Sequence, residues 1–164
     1  MNNHDRFYLR PAARVDAEAI YQLHTDILRE TTPQNIHPHD TYDHLVELLT
    51  DPGASSIWVG ECNNEIVGYV RSDALGAGRK RMLALTWLGV RSADRRRGYG
   101  TKLLTAAIGD MPAYAFTPSA QVTPFLNKNG FESIKNDDET RAIIHELHLA
   151  DTAEPHCHVM TFWR

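Results

Sequence analysis

Leu88-Gly89-Val90-Arg91-Ser92-Ala93-Asp94-Arg95-Arg96-Arg97-Gly98-Tyr99-Gly100-Thr101-Lys102 is the stretch that decides the fold. An apolar, strand-like run ends at Val90. A short basic loop follows, then Gly98 and Gly100 in a G-x-G spacing, then a helical run through Leu103, Leu104, Ala107 and Ile108. That order builds an anion site. The first N–H groups of a helix have no intrahelical partner, and the helix dipole makes that end positive. Glycine, with no Cβ, lets an anion come close to the backbone. Five basic residues (Arg91, Arg95, Arg96, Arg97, Lys102) stand against one acid, Asp94, a local charge of +4. The stretch reads as a cradle for a pyrophosphate.

The rest of the composition is ordinary, which makes the loop stand out. The chain has 164 residues, 42% hydrophobic and 23% charged, which suits one soluble domain over residues 1–164. Its net charge of −4 argues against a nucleic-acid partner. Positive charge focused on a mildly acidic protein points to one specific polyanionic ligand. Cys62 and Cys157 form no disulfide framework, so a reducing cytoplasm is the expected setting. No apolar run is long enough to span a membrane, and the first residues lack the apolar core of a signal peptide.

Outward from the loop, hydrophobic periodicity places the other elements. Phe7 to Arg10 reads as a first strand and Asp16 as the N-cap or first-turn acid of a helix carrying Ile20, Leu23, Ile27 and Leu28. Thr31 to Asp43 is a Pro-containing break, and Tyr42 to Leu49 a second helix. Ile57 to Cys62 and Glu65 to Ser72 are strands joined by the turn Asn63-Asn64. Ala74 to Arg81 is a connection, Met82 to Val90 a buried central strand and Ala113 to Thr117 a short strand. Ala120 to Asn129 reads as a helix with Pro124 in its first turns, ending at Asn129-Gly130. Phe131 to Ile134 and Cys157 to Trp163 are final strands. Asp137 to Leu149 fits a helix better than a strand.

This order resembles the GNAT superfamily of acetyl-CoA-dependent N-acetyltransferases. Three patterns carry the resemblance: Leu9-Arg10-Pro11-Ala12 followed by Asp16-Ala17-Glu18-Ala19-Ile20; Arg95-x-x-Gly98-x-Gly100, which fits the family's Q/R-x-x-G-x-G/A motif; and Phe125-Leu126-Asn127-Lys128-Asn129-Gly130-Phe131, similar to the family's helix ending in Gly-Phe. The resemblance implies an α/β fold with a mixed sheet of six to seven strands and about four helices. It implies acetyl-CoA as co-substrate and a primary amine as acceptor, attacked directly in a ternary complex. The cofactor's diphosphate would rest on Arg95, Arg96, Arg97, Gly98, Tyr99, Gly100 and Thr101. Only one or two of the three arginines are expected to contact phosphate. Leu88, Gly89 and Val90 would hold the thioester arm, with the Gly89 or Val90 N–H on the acetyl carbonyl at a bulge. Ser119 stands where the family often has an asparagine contacting the cofactor.

The acid–base groups are harder to assign. Many family members carry a tyrosine four residues before the Gly of Gly-Phe, a position held here by Leu126. Asp73, Glu61 and His158 (with its neighbour His156) are the candidates for a base, against a competing route through water. Tyr69 and Tyr114 read as strand packing. His37, His39, Asp40 and His44, and His156, Cys157 and His158, have metal-like spacing, but a polar loop and the alternation of a strand argue against a metal. Arg79-Lys80-Arg81 reads as a solvated turn. A small-molecule amine is the default acceptor; a peptide or protein amine, a larger acyl group, and a weakly active acyl-CoA sensor are the alternatives. Homodimerisation, with Phe162 and Trp163 contributing, is expected by analogy alone.

Overall fold

The structure is a computed structural model and describes residues 6–31, 41–75, 81–117, 122–133 and 158–162. Those residues form seven strands and four α-helices of a mixed α/β fold. The chain divides into two compact units, Met1–Asp73 with Trp87–Gly109, and Ala74–Thr86 with Asp110–Arg164. Among the described residues, no helix is long and apolar enough to cross a membrane.

In the first unit, β1 (Phe7–Pro11), β2 (Ser55–Cys62) and β3 (Glu65–Leu75) form an antiparallel meander, and β4 (Met82–Val90) follows β3 in the strand order. The β2–β3 turn places Asn63 and Asn64 at φ of 53° and 63°. Both central residues of a two-residue hairpin need that left-handed backbone, which asparagine tolerates well. Helix α1 (Ala17–Thr31) buries Ile20, Leu23 and Ile27 against Ile57, Val59 and Tyr69, and α2 (Tyr42–Thr50) adds Leu45, Leu48 and Leu49. Thr41 caps α2, its hydroxyl accepting from the His44 N–H at 3.2 Å. Helix α3 (Tyr99–Ile108) covers the other face of β3. A Cβ on Gly68 would lie 2.8 Å from Leu103 Cδ1 and 3.0 Å from the Gly89 carbonyl oxygen, so only glycine lets helix and strand approach there. Neighbouring Gly68 and Tyr69 point to opposite faces, which separates α3 from α1.

In the second unit, Leu83, Ala84 and Leu85 of β4 pair in parallel with β5 (Ala113–Thr117). Strand β5 pairs antiparallel with β7 (His158–Phe162), which pairs antiparallel with β6 (Glu132–Ser133). Helix α4 (Thr123–Lys128) starts with Pro124 in its first turn and closes with the Phe131 N–H donating to the Leu126 carbonyl at 3.0 Å. Leu126 and Phe131 are each 1% exposed.

Several boundaries move. Strand β3 runs to Leu75 rather than Ser72, and the last helix begins at Thr123 among the described residues. Asp16 is, as expected, the first-turn acid of the helical run that leads straight into α1. It ends a 3-10 turn (Arg14–Asp16), and its carboxylate reaches back to the Ala13 N–H at 2.7 Å and to Arg10. Phe162 is 7% exposed and packs on Phe131, with ring centroids 5.4 Å apart. It fills the core of its unit and is not available as the dimer contact expected of it. The segment 137–149 lies outside the described residues.

Candidate active site

The cradle begins where β4 ends. The Arg91 N–H donates to the Val67 carbonyl at 2.8 Å, the last tie to β3, and Ser92–Asp94 then form a 3-10 turn. Arg96 has φ of 64° and Gly98 φ of 80°, two left-handed residues in three positions. Such a backbone costs a non-glycine residue about 1–2 kcal/mol and persists where the surroundings hold it. The first helical bond of α3 runs from the Lys102 N–H to the Gly98 carbonyl at 3.2 Å. The N–H groups of Tyr99, Gly100 and Thr101 therefore precede every intrahelical bond, and Gly98 caps them with no side chain. A Cβ on Gly98 would meet nothing within 4 Å, so the space beside Gly98 at the start of α3 is open.

The arginines divide their work. Asp94, only 6% exposed, accepts from Arg91 Nε at 2.6 Å and lies 3.7 Å from an Arg97 nitrogen. Arg91 also donates to Glu65 at 2.9 Å, and the two carboxylates, Glu65 first, hold its guanidinium even further above its ordinary range. Arg95 donates to the Val90 carbonyl at 2.9 Å and to Glu30 of α1 at 2.7 Å. Arg96 is exposed and makes no ion pair among the described residues. Much of the +4 read from the sequence is thus spent inside the protein, as scaffold. Asp94, which counts in the sequence only as a lost positive charge, is the post that Arg91 and Arg97 share. Asp94→Ala should leave Arg91 with Glu65 alone and loosen the loop. We expect affinity for a diphosphate-bearing ligand such as the one the resemblance implies to weaken about tenfold, the loss of roughly 1.4 kcal/mol, as read by titration calorimetry.

Tyr99 contributes main chain rather than side chain. Its ring stacks on Phe7 at 4.0 Å, and its hydroxyl lies 3.9 Å from the buried Cys62 Sγ. Burial pushes that phenol's pKa up. Lys102 Nζ sits 5.3 Å from the Phe7 ring centroid.

The carboxylate candidates are committed elsewhere. Asp73 Oδ1 accepts from Ser55 at 2.5 Å and from Arg71 Nε at 3.2 Å, and Oδ2 from Arg71 at 3.1 Å. Glu61 accepts from Arg10 Nε at 2.5 Å. His158 opens β7. His156 and Ser119 lie outside the described residues.

A group that the sequence reading passed over stands beside the end of β4. His24 Nδ1 and the Tyr69 hydroxyl share a 2.5 Å hydrogen bond, both residues buried. The Trp87 ring packs on His24 at 4.1 Å and stacks on Tyr69 at 5.8 Å. The signal for His24 was its place on the apolar stripe Ile20, Leu23, Ile27 of α1, where a polar side chain needs a partner.

Strand, glycine loop and helix thus meet in the geometry expected of the motif. The family model described as Acetyltransferase (GNAT) family matches residues 17–131. The chain belongs to this family. Solved structures share the fold of this GNAT chain at low identity. An acetyltransferase of the GNAT family from Staphylococcus aureus Mu50 superposes with a TM-score of 0.72 at 19% identity, over 96% of this chain and 98% of that one. The PaiA N-acetyltransferase from Thermoplasma acidophilum, in complex with coenzyme A, gives 0.71 at 11% identity, over 97% and 99%. Arabidopsis thaliana Naa50, in complex with the bisubstrate analogue CoA-Ac-MVNAL, gives 0.65 at 15% identity, over 94% and 97%. No curated protein matches the sequence.

Proposed function

We propose that this GNAT chain moves an acetyl group from acetyl-CoA to a primary amine by direct attack, with donor and acceptor bound together. One observation carries the reading: three leading amides of α3 behind a left-handed, unobstructed Gly98, with Arg96 exposed beside them. That arrangement matches a diphosphate in charge and shape. In this reading the pantetheine arm follows Leu88, Gly89 and Val90, and a main-chain N–H of Gly89 or Val90 meets the acetyl oxygen as negative charge builds on it. Arg96 is the phosphate-facing arginine, while Arg95 and Arg97 shape the loop. We take acetyl-CoA as a co-substrate, need no metal, and place the reaction in the cytoplasm with a small-molecule amine as acceptor.

With Asp73 held by Arg71 and Ser55 and one Glu61 oxygen held by Arg10, the amine's proton leaves to water or to His158. Free thiolate is a tolerable leaving group, with a thiol pKa near ~8.5. A second reading rests on Leu126. Its side chain fills the core where many family members place a tyrosine, and a domain without that acid could bind acyl-CoA as a sensor. One assay separates the two. Acetyl-CoA is incubated with the protein and a panel of small amines and short peptides, and free thiol is followed. Turnover on any of them supports the transferase, and the best acceptor sets its class. Tight CoA binding with no thiol release across the panel would replace it with the sensor.

A further inference from the structure

The indole N–H of Trp87 is a buried donor with no hydrogen-bond acceptor among the described residues. A buried N–H left without a partner forfeits its hydration with no return, so its persistence calls for an explanation. Its position supplies one. Nε1 lies 3.0 Å from the point that a Gly89 Cβ would occupy. A Cβ sits about 1.5 Å from its Cα, so the donor lies within about 4.5 Å of Gly89 Cα, against the stretch of β4 that this reading assigns to the thioester. Gly89 makes the arrangement possible, since a side chain there would collide with the indole and with Ile27. The ring is fixed from two sides, by His24 on α1 and by Tyr69 on β3. Those two are tied to each other by their own hydrogen bond. A donor held this firmly needs no reorganisation when charge appears next to it.

We propose that Trp87 Nε1–H is a second oxyanion donor, joining the main-chain N–H of Gly89 or Val90 on the acetyl oxygen. The inference rests on the acetyl-transfer reading above. As the amine nitrogen bonds to the carbonyl carbon, the C=O π pair moves onto oxygen, and the indole proton hydrogen-bonds to it without being transferred. When the C–S bond breaks, the pair returns to carbon–oxygen, the electrons of the C–S bond leave with the thiolate, and the nitrogen gives up its surplus proton to water or to His158, leaving the neutral amide. His24 and Tyr69 act through Trp87, as positioning residues.

The test uses Trp87→Phe, which keeps an aromatic ring between His24 and Tyr69 but removes the N–H. With the best acceptor, kcat should fall about 10²-fold, the order seen when one oxyanion donor is lost, while KM for acetyl-CoA stays within about twofold. A spectroscopic readout needs no turnover. The Trp87 indole proton in 15N-edited NMR should shift downfield when the protein binds acetonyl-CoA, whose ketone stands for the thioester, and much less with CoA itself. If both ligands bind and the Trp87 resonance responds equally to them, or if Trp87→Phe keeps its kcat, the donor role is wrong and the transferase reading survives. If neither ligand binds, both fall together.

Discussion

Gly98→Asp should abolish useful CoA binding while leaving the protein folded. The position is open, with nothing within 4 Å of an added Cβ, so the new side chain meets no steric barrier. It does meet a φ of +80°, which a non-glycine residue adopts at a cost of about 1–2 kcal/mol. The larger effect is electrostatic. A carboxylate would stand at the mouth of the amides of Tyr99, Gly100 and Thr101, where a diphosphate has to sit. Two unit charges about 4 Å apart repel by about 4 kcal/mol at an effective dielectric of 20. The carboxylate would also accept from those amides itself, imitating the ligand. We expect the dissociation constant for CoA to rise at least about 10²-fold by calorimetry. Gly98→Ala is the control, carrying the same backbone strain without the charge, and its affinity should drop less than about tenfold. If Gly98→Asp binds CoA as well as the parent does, the diphosphate does not rest on this turn.

The strand–loop–helix geometry of the candidate site is legible in the sequence because its parts are local. A strand end, two glycines and a helix start lie within fifteen residues, and backbone geometry follows from their order. What the sequence could not carry was the partnering of side chains across the fold. Arg95 meets Glu30 and Arg91 meets Glu65, contacts 65 and 26 residues apart in the chain. No local spacing marks Glu30 as the residue that holds the first arginine of the motif. The same holds in part for acid–base chemistry. Asp73 and Glu61 are candidate bases by their places at strand ends; Arg10, which holds Glu61, lies 51 residues away, whereas Arg71, which holds Asp73, stands two residues before it on the same strand face. His24 was hidden differently: it sits within a helical apolar stripe, and periodicity reads such a position as packing. Periodicity places Trp87 on a strand with a buried face, yet it has nothing to say about one nitrogen without an acceptor.

The ion pairs of the first strand give the second large expectation, one of stability rather than binding. Arg10 joins Asp16 at 2.6 Å and Glu61 at 2.5 Å, so β1 is tied both to the entry of α1 and to β2. Asp16 is 6% exposed, and besides Arg10 its carboxylate has only the Ala13 N–H among the described hydrogen bonds. The hydrogen bonds from Arg10, more than any other influence, hold that carboxyl's pKa below its ordinary value, against the opposing effect of burial. Arg10→Met keeps the length of the side chain and strands the charge. Breaking a buried pair from one side costs about 3–5 kcal/mol, but the Arg10 side chain is 37% exposed and water screens it, so we expect about 2 kcal/mol. The sign with pH follows from the direction of the shift. A depressed folded-state pKa contributes stability that is fully present above the unfolded value, near ~3.9, and is lost as pH falls through the folded one. The gap between parent and Arg10→Met, measured by urea unfolding, should therefore be full at neutral pH and shrink below about pH 4. Asp16→Asn in the same background should recover part of the loss at neutral pH, because the group left buried no longer carries a charge. A gap that stays constant into acid would mean that Arg10 stabilises the fold through its hydrocarbon stem, and that the ion pair with Asp16 contributes nothing.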